Sequence, residues 1–500
     1  MSTNEFLDSP WLKNNKIYKK SVFHVSPAPE YSTAEVTLSS LYRASGFSGY
    51  TESKVPSMGV EFKKQGDLAK NQQVISGKIS PQTWRILLNG VLDSPKSDKQ
   101  SKSRNIQLCP IVPDIALYSG SPRLKGNSWN PGELLKNIII IGSKDQVEAD
   151  YVWAKLFGAL SISDDDDVWA RWLEEIFEQR KVDSSINWSQ TTLKYFENIP
   201  SDEKISLSFP AKQFVFDLLA IIESKSQMTR KQWVSLLEAV IRVGVVTHVL
   251  WLCKINDSIW KACHQVLFTE NQISNEYLIN TIFLKTQKFF SYGKPVLSPI
   301  RAIASRYLVA RLGINLVLWM LEDLGETSLS ELNSKGDLIK LLQVISHHKD
   351  RLLGLNIVDK FNFLKNKEAK VISIKQGTGS SLEEFFKYNL GQLQPANQSL
   401  RGYDQGYFAQ KKGSYRNSPW VLSFGPVAVL AMVYCCLSQV KGPRSISRLS
   451  NHLNAYGLDL GIDEISNGDL GRKLRMLGLV LDSPDAESGM LLVPPFAYNK

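Results

Sequence analysis

The stretch GPVAVLAMVYCCLSQVKGPRSISRLSNHLNAYGLDLGIDEISNGDLGRKLRMLGLVLDSPDAESGMLLVPP, Gly425 to Pro495, reads as an ordered series of elements with a stop after each. Gly425 and Pro426 suit a helix start, because proline lacks the amide hydrogen that a first helical position leaves unused. Lys441, Gly442 and Pro443 then break the apolar run that begins upstream at Ser418 and ends at Val440. Ser445 is placed to cap a second helix, which carries Ile446, Leu449, Leu453 and Tyr456 on one face and ends at Gly457. A loop through Gly461 and Ile462 leads to Ser466 and Asn467 as N-cap residues of a third helix. Its buried face is Leu470, Leu474 and Leu477, and Gly478 closes it. Two apolar runs, Leu479 to Leu481 and Met490 to Val493, flank the turn-rich DSPDAESG and predict a β-hairpin.

Helix, helix, helix and hairpin in that order resemble the winged-helix superfamily over this C-terminal segment. The resemblance implies that the third helix enters a major groove, with Asn467, Arg472, Lys473 and Arg475 among its contacts and Arg444 and Arg448 on phosphates. The hairpin departs from that pattern, because Asp482, Asp485 and Glu487 stand where phosphate would repel them. Docking of a protein by the same module therefore stands beside DNA contact.

Immediately upstream, RGYDQGYFAQKKGSYRNSPW (Arg401 to Trp420) interleaves Arg401, Lys411, Lys412 and Arg416 with Tyr403, Tyr407, Phe408, Tyr415 and Trp420. Cations neutralise phosphate and rings stack on unpaired bases, so Arg401, Tyr407, Lys411, Lys412, Tyr415 and Arg416 are candidate nucleic-acid contacts. The competing reading is an ordered linker whose aromatic rings pack against the neighbouring domain.

The rest of the chain is expected to be mainly α, of the α+β class. Residues 1–145 show short apolar segments broken by Gly, Pro and Ser, among them PSMGVEFKKQG, VISGKIS, NIQLCPIVPDIALYSG and LLKNIIIIGS. These predict strands and loops of a mixed α/β N-terminal domain, with a short helix at TWRILLNGVL. DSPKSDKQSKSRN, Asp93 to Asn105, reads as a polar surface loop. From 146 to 350 the period turns helical, with Val152, Leu156, Ala159 and Leu160 on one face and Trp169, Trp172, Leu173, Ile176 and Phe177 on another. FVFDLLAII and WVSLLEAVIRVGVVTHVLWLC add strongly apolar helices, and Trp233, Trp251, Trp260 and Trp319 fit a tryptophan-rich core. Residues 351–420 form an α/β connector with the basic aromatic loop, and 421–500 the winged-helix-like domain.

Charge favours an anionic partner: 59 lysines and arginines against 49 carboxylates give +10 and a pI near 9.1. Five cysteines, Cys109, Cys253, Cys263, Cys435 and Cys436, form no disulfide framework and fit a reducing cytoplasm. No stretch of about 18 uninterrupted apolar residues is present, so no membrane span is expected. The acidic run Asp164 to Asp167 precedes VWARWLEEIFEQ, where carboxylates cap a helix, and the histidines near Cys263 match no zinc spacing. VISIKQGTGSSLEEFF, Val371 to Phe386, resembles a phosphate cradle but lacks the Gly-Lys-Ser/Thr ending, and Ser380 with Glu383 reads as a capping box. Neither a metal nor a cofactor is expected.

Three functions remain open. The first is a non-enzymatic DNA-binding or adaptor subunit, the second a protein scaffold, and the third a metal-dependent nuclease using Glu61 and Lys63 of VEFKK. MTRKQWVSLLEAVIRVGVVTHVLW and LSNHLNAYGLDLGIDEISNGDLGRKLRMLGL give the chain the style of accessory subunits of prokaryotic phage-defence or restriction systems. That likeness implies a bacterial multi-protein antiviral assembly, with DNA and other subunits as partners.

Overall fold

Two long helices, Arg230–Phe268 and Leu297–Asp323, run through the middle of the molecule and pack along each other. The computed structural model describes residues 2–12, 21–25, 34–47, 81–92, 109–117, 131–178, 188–195, 209–269, 274–283, 287–326, 329, 332–391, 404–413, 415, 417–438, 444–482 and 490–496. Among these the architecture is mainly helical, and the strands are pieces of two or three residues paired in two-stranded units.

Local chemistry explains where the first long helix begins. Thr229 and Gln232 form a capping box, in which each side chain satisfies the other's exposed amide. The helix then stays buried on nearly all sides, from Trp233 through Leu267, because other helices surround it. Ala211–Glu223, Pro426–Leu437, Lys335–His347 and Gly377–Gly391 all pack on it. Both long helices are long and apolar enough to cross a membrane, yet here they are core helices, with 100% and 83% of their most apolar windows buried. Trp233, Trp251, Trp260 and Trp319 all lie in this core.

Gly313 on the second long helix makes room for the Trp260 ring of the first. A Cβ there would meet the Trp260 ring at 2.6 Å. Gly313→Ala is therefore expected to force the ring out of place and destabilise the fold by about 1–3 kcal/mol. A urea midpoint unchanged from the parent protein would refute that close packing.

Burial of charge ties the acidic run to the start of the same helix. Arg230, 1% exposed, donates from Nε to the Ile111 carbonyl (3.0 Å) and from Nη2 to Tyr42 Oη (3.2 Å). Its guanidinium also contacts Asp166 at 3.4 Å, and Lys225 pairs with the same carboxylate at 2.9 Å. Asp167 accepts from the amides of Trp169 (3.0 Å) and Ala170 (3.1 Å), so the run caps Val168–Glu178 as the sequence predicts. One apolar cluster extends from Phe6 to Leu492. A small second one joins Leu92, Ile111, Val112, Ile115 and Leu173.

Several expectations are corrected. LLKNIIIIGS is no strand: Pro131–Gly142 is a helix that buries Leu135 and Ile138 to Ile141. Four consecutive isoleucines look strand-like, but a helix buried at all four tolerates them because packing outweighs the small propensity cost. VISIK is not a strand either, since Ala369–Ile372 is helical and Ile374 turns the chain at φ 63°. The capping box at Ser380 and Glu383 does not form. Gly377–Gly391 already includes both residues, Ser380 Oγ donates to the Gly377 carbonyl (3.0 Å), and Glu383 pairs with Arg301 (2.9 Å). TWRILLNGVL is helical as expected, within Pro81–Leu92. PSMGVEFKKQG, with Glu61 and Lys63, VISGKIS and DSPKSDKQSKSRN all lie outside the described residues.

Candidate nucleic-acid interface

The C-terminal elements follow the predicted stops. Pro426–Leu437 starts with proline in its first turn, and Gly457 (φ 76°) and Gly478 (φ 68°) turn the chain after the next helices. Ile446–Asn454 buries Ile446, Leu449 and Leu453, with Tyr456 just beyond it. Ser445 occupies the cap position, but its side chain makes no capping bond. The expected loop through Gly461 and Ile462 instead holds a short strand, Leu458–Asp459, and a short helix, Ile462–Ser466. Asn467 therefore ends that short helix, and Gly468 takes the N-cap of Asp469–Met476.

Leu470 and Leu474 are buried and Leu477 is half-buried. Gly471 lets the two short helices touch, because a Cβ there would lie 2.3 Å from the Ile465 carbonyl oxygen. Val480–Asp482 pairs antiparallel with Met490–Leu492, and Leu491 bridges to Ser445. The hairpin thus closes onto the start of the Ile446–Asn454 helix, with Leu492 N donating to the Arg444 carbonyl at 2.7 Å.

This segment is bonded to the helical body rather than tethered to it. Phe290–Ser291 pairs parallel with Leu458–Asp459, and Gly293 N donates to the Leu422 carbonyl at 2.8 Å. Buried Asp217 accepts from His452 Nε2 (2.9 Å), Tyr456 Oη (2.8 Å) and Gln213 Nε2 (2.8 Å). Tyr292 Oη donates to Asp469 at 3.2 Å, at the first turn of Asp469–Met476. Burial pushes the Asp469 carboxyl up, but Lys473, the Tyr292 hydroxyl and Arg472 together hold it below its ordinary value. It therefore stays ionised and partly offsets the cations beside it, with Lys473 at 2.9 Å and Arg472 at 3.6 Å.

The candidate contacts separate into outward and inward groups. Arg444, Asn467, Arg472 and Arg475 are exposed on one compact segment, and Arg448 is half-buried. Arg475 leans on that segment, donating from Nη1 to the Ser466 carbonyl at 3.0 Å. Lys473 turns inward, where Nζ donates to Ser423 Oγ (2.7 Å) and the Phe424 carbonyl (3.0 Å), so it braces the helix against the body.

In the aromatic lead-in, Lys412 and Tyr415 are exposed and Lys411 is half-buried on Ala409–Lys411. Tyr407 corrects the expectation. It is 2% exposed, with Phe408 at 0% and Trp420 at 8%, so these rings belong to the core and stack on no base. Arg401, Tyr403 and Arg416, and the hairpin acids Asp485 and Glu487, lie outside the described residues.

No family model, curated protein or solved structure matches this chain.

Sequence reasoning missed the residue that pins the lead-in. Asp404 forms a two-point pair with Arg242, 2.8 and 2.7 Å, and both side chains are buried. Half of the signal was present: the lone arginine in VIRVGVV is a charge in an apolar helix, which persists only with a partner, just as the lone aspartate in FVFDLLAII, Asp217, marks the separate network with His452 and Tyr456. The cysteines act as apolar fillers, since burial pushes the Cys263 thiol up to about 12 and Cys253, Cys435 and Cys436 upward as well. His248 is driven down to about 3 by burial, which leaves it neutral at physiological pH. Among the described residues no group of three or more His, Cys, Asp or Glu side chains is arranged to hold a metal.

Proposed function

We propose that the chain is a non-enzymatic DNA-binding subunit whose C-terminal segment acts as a winged helix. In this reading Asp469–Met476 is the reading helix and Val480–Asp482 with Met490–Leu492 is the wing. The carrying observation is that Asn467, Arg472 and Arg475 stay exposed on and beside a helix whose other face is packed, with Arg444 exposed where the hairpin closes. Cations that a fold holds outward on a rigid platform suit phosphate and base-edge contacts. The biological setting in this proposal is a cytoplasmic, bacterial multi-protein defence assembly of the restriction type.

Replacing Arg472 and Arg475 together by alanine is expected to weaken duplex binding by about ten-fold or more. It should also make the salt dependence shallower, by roughly 0.9 in slope for each phosphate that is no longer neutralised. Fluorescence anisotropy over a salt series checks this. Unchanged affinity and slope would remove the reading.

A second reading, docking of a protein partner, draws support from Met476 and Leu481, which are 82% and 62% exposed on the same segment. Apolar side chains that far from the core suit a protein surface better than a phosphate backbone. It becomes the leading reading if the arginine variants bind DNA as the parent does.

A further inference from the structure

A second surface carries an excess of positive charge that the fold leaves uncompensated. Between residues 349 and 375 the chain has seven lysines and arginines and three carboxylates, an excess of four in a protein of net charge +10. Three short helices, Lys349–Gly354, Ile357–Lys367 and Ala369–Ile372, bury Leu352, Ile357, Leu364 and Val371 against the body. They leave Arg351, Lys365, Lys367, Lys370 and Lys375 exposed.

Several exposed cations elsewhere in the chain sit beside a carboxylate. Lys261 lies 2.7 Å from Asp257 and Arg301 2.9 Å from Glu383. Among the described residues, Arg351, Lys365, Lys370 and Lys375 form no such pair. Lys367 donates to the Leu7 and Asp8 carbonyls (2.9 and 2.7 Å), which neutralises nothing.

A buried charge on the helix beneath adds to the same field. Trp11 donates its indole hydrogen to Glu368 (2.6 Å), and the same ring lies 5.3 Å from the Arg311 guanidinium. Arg311 is 3% exposed, and neither terminal nitrogen has a hydrogen-bond partner among the described residues. A buried guanidinium with no carboxylate on it raises the potential over the helices packed above.

We infer that this face binds the phosphodiester backbone of nucleic acid without reading its sequence. An anionic lipid surface fits less well. The apolar side of Ile357–Lys367 already packs into the body through Ile357, Phe361 and Leu364, so no continuous apolar face is left to insert between lipids. The exposed Leu355, Val358 and Phe363 are interspersed with exposed Asn356, Asp359 and Asn362, with Asn366 exposed one turn on, and such amides hydrogen-bond phosphate. The inference shares with the proposed function the premise that nucleic acid is the partner, but it rests on different residues.

The test compares the full chain with Lys365→Glu/Lys370→Glu/Lys375→Glu and, separately, with Arg472→Ala/Arg475→Ala, on duplexes of unrelated sequence over a salt series. The triple variant is expected to bind at least ten-fold more weakly on every duplex, with a salt slope shallower by roughly three. Its thermal unfolding should stay close to the parent's, because the replaced side chains are exposed and form no ion pair among the described residues, Lys365 making only a ring contact with Phe361. If it does not, Lys→Gln at the same positions carries the test. Loss only in the triple variant upholds this face and sinks the C-terminal reading. Loss only in the arginine variant does the reverse, and loss in neither overturns both. Binding of the parent to phosphatidylserine vesicles, abolished by the triple variant while DNA binding is absent, would assign the face to lipid and overturn the inference.

Discussion

Asp404→Ala is expected to destabilise the protein by about 3–5 kcal/mol, because it strands a buried guanidinium. Arg242 donates to Asp404 Oδ1 (2.8 Å) and Oδ2 (2.7 Å), and from Nε to the Asn389 carbonyl at 2.6 Å. With the carboxylate removed, Glu238 at 3.6 Å is the remaining counter-charge at the Arg242 side chain, too far for a good hydrogen bond. Asp404 Oδ1 also accepts from Gly406 N (3.0 Å), so the turn leading into Tyr407 and Phe408 loses its anchor in the same step. The damage should therefore be local as well as global. Amide exchange at residues 405–411 is expected to accelerate more than exchange in the Arg230–Phe268 helix.

The double replacement Arg242→Met with Asp404→Leu should recover part of the loss, since apolar side chains of similar size replace the two-point pair, although buried Glu238 then loses its 3.6 Å contact with Arg242. A double variant as unstable as the single one would mean that the pair acts through something other than charge. An unchanged urea midpoint for Asp404→Ala would refute the burial of the pair outright.

This pair also marks where the sequence stops being legible. Pro426, Gly457 and Gly478 act within a few residues of themselves, so the C-terminal helices and hairpin could be read from local stops. Leu297–Asp323 stood out only as part of a region expected to be helical, whereas FVFDLLAII and WVSLLEAVIRVGVVTHVLWLC announced themselves as apolar helices through length and composition. The aromatic lead-in did not, because cations interleaved with rings look alike whether the rings face solvent or the core. Tyr407, Phe408 and Trp420 are buried, and Asp404 just before the first two is held by Arg242, 162 residues away along the chain. The apolar runs LLKNIIIIGS and VISIK misled for a different reason: a short run with no polar interruption carries no period, and strand and buried helix then look the same. Lys473 shows the same limit at the candidate interface. It is adjacent to Arg472 on one basic helix, yet Arg472 turns outward while Lys473 is held by Ser423 and Phe424.

Asp217→Ala should have an effect of similar size, concentrated on the C-terminal segment. Asp217 is fully buried on Ala211–Glu223 and takes hydrogen bonds from His452 (2.9 Å) and Tyr456 (2.8 Å), on or just beyond Ile446–Asn454. Gln213 Nε2 reaches both Asp217 Oδ1 (2.8 Å) and His452 Nδ1 (3.2 Å). Because the two amide hydrogens of Gln213 point at those acceptors, His452 donates to Asp217 from Nε2. Tyr456 stays a neutral donor, because burial and then the Asp217 charge hold its hydroxyl well above the ordinary tyrosine range.

Alanine at 217 orphans the His452 and Tyr456 donors at about 1–3 kcal/mol each. Tyr456→Phe removes one donor along with its own need for a partner, so about 1 kcal/mol is expected there. Because this network joins the body to the helix before the proposed reading helix, amide exchange at residues 446–456 should rise well before exchange in Leu297–Asp323. DNA affinity should fall in step with that local opening if the C-terminal segment is the reader. Rapid exchange at residues 446–456 with undiminished DNA binding would separate the two, moving the nucleic-acid contact to the lysines of residues 349–375.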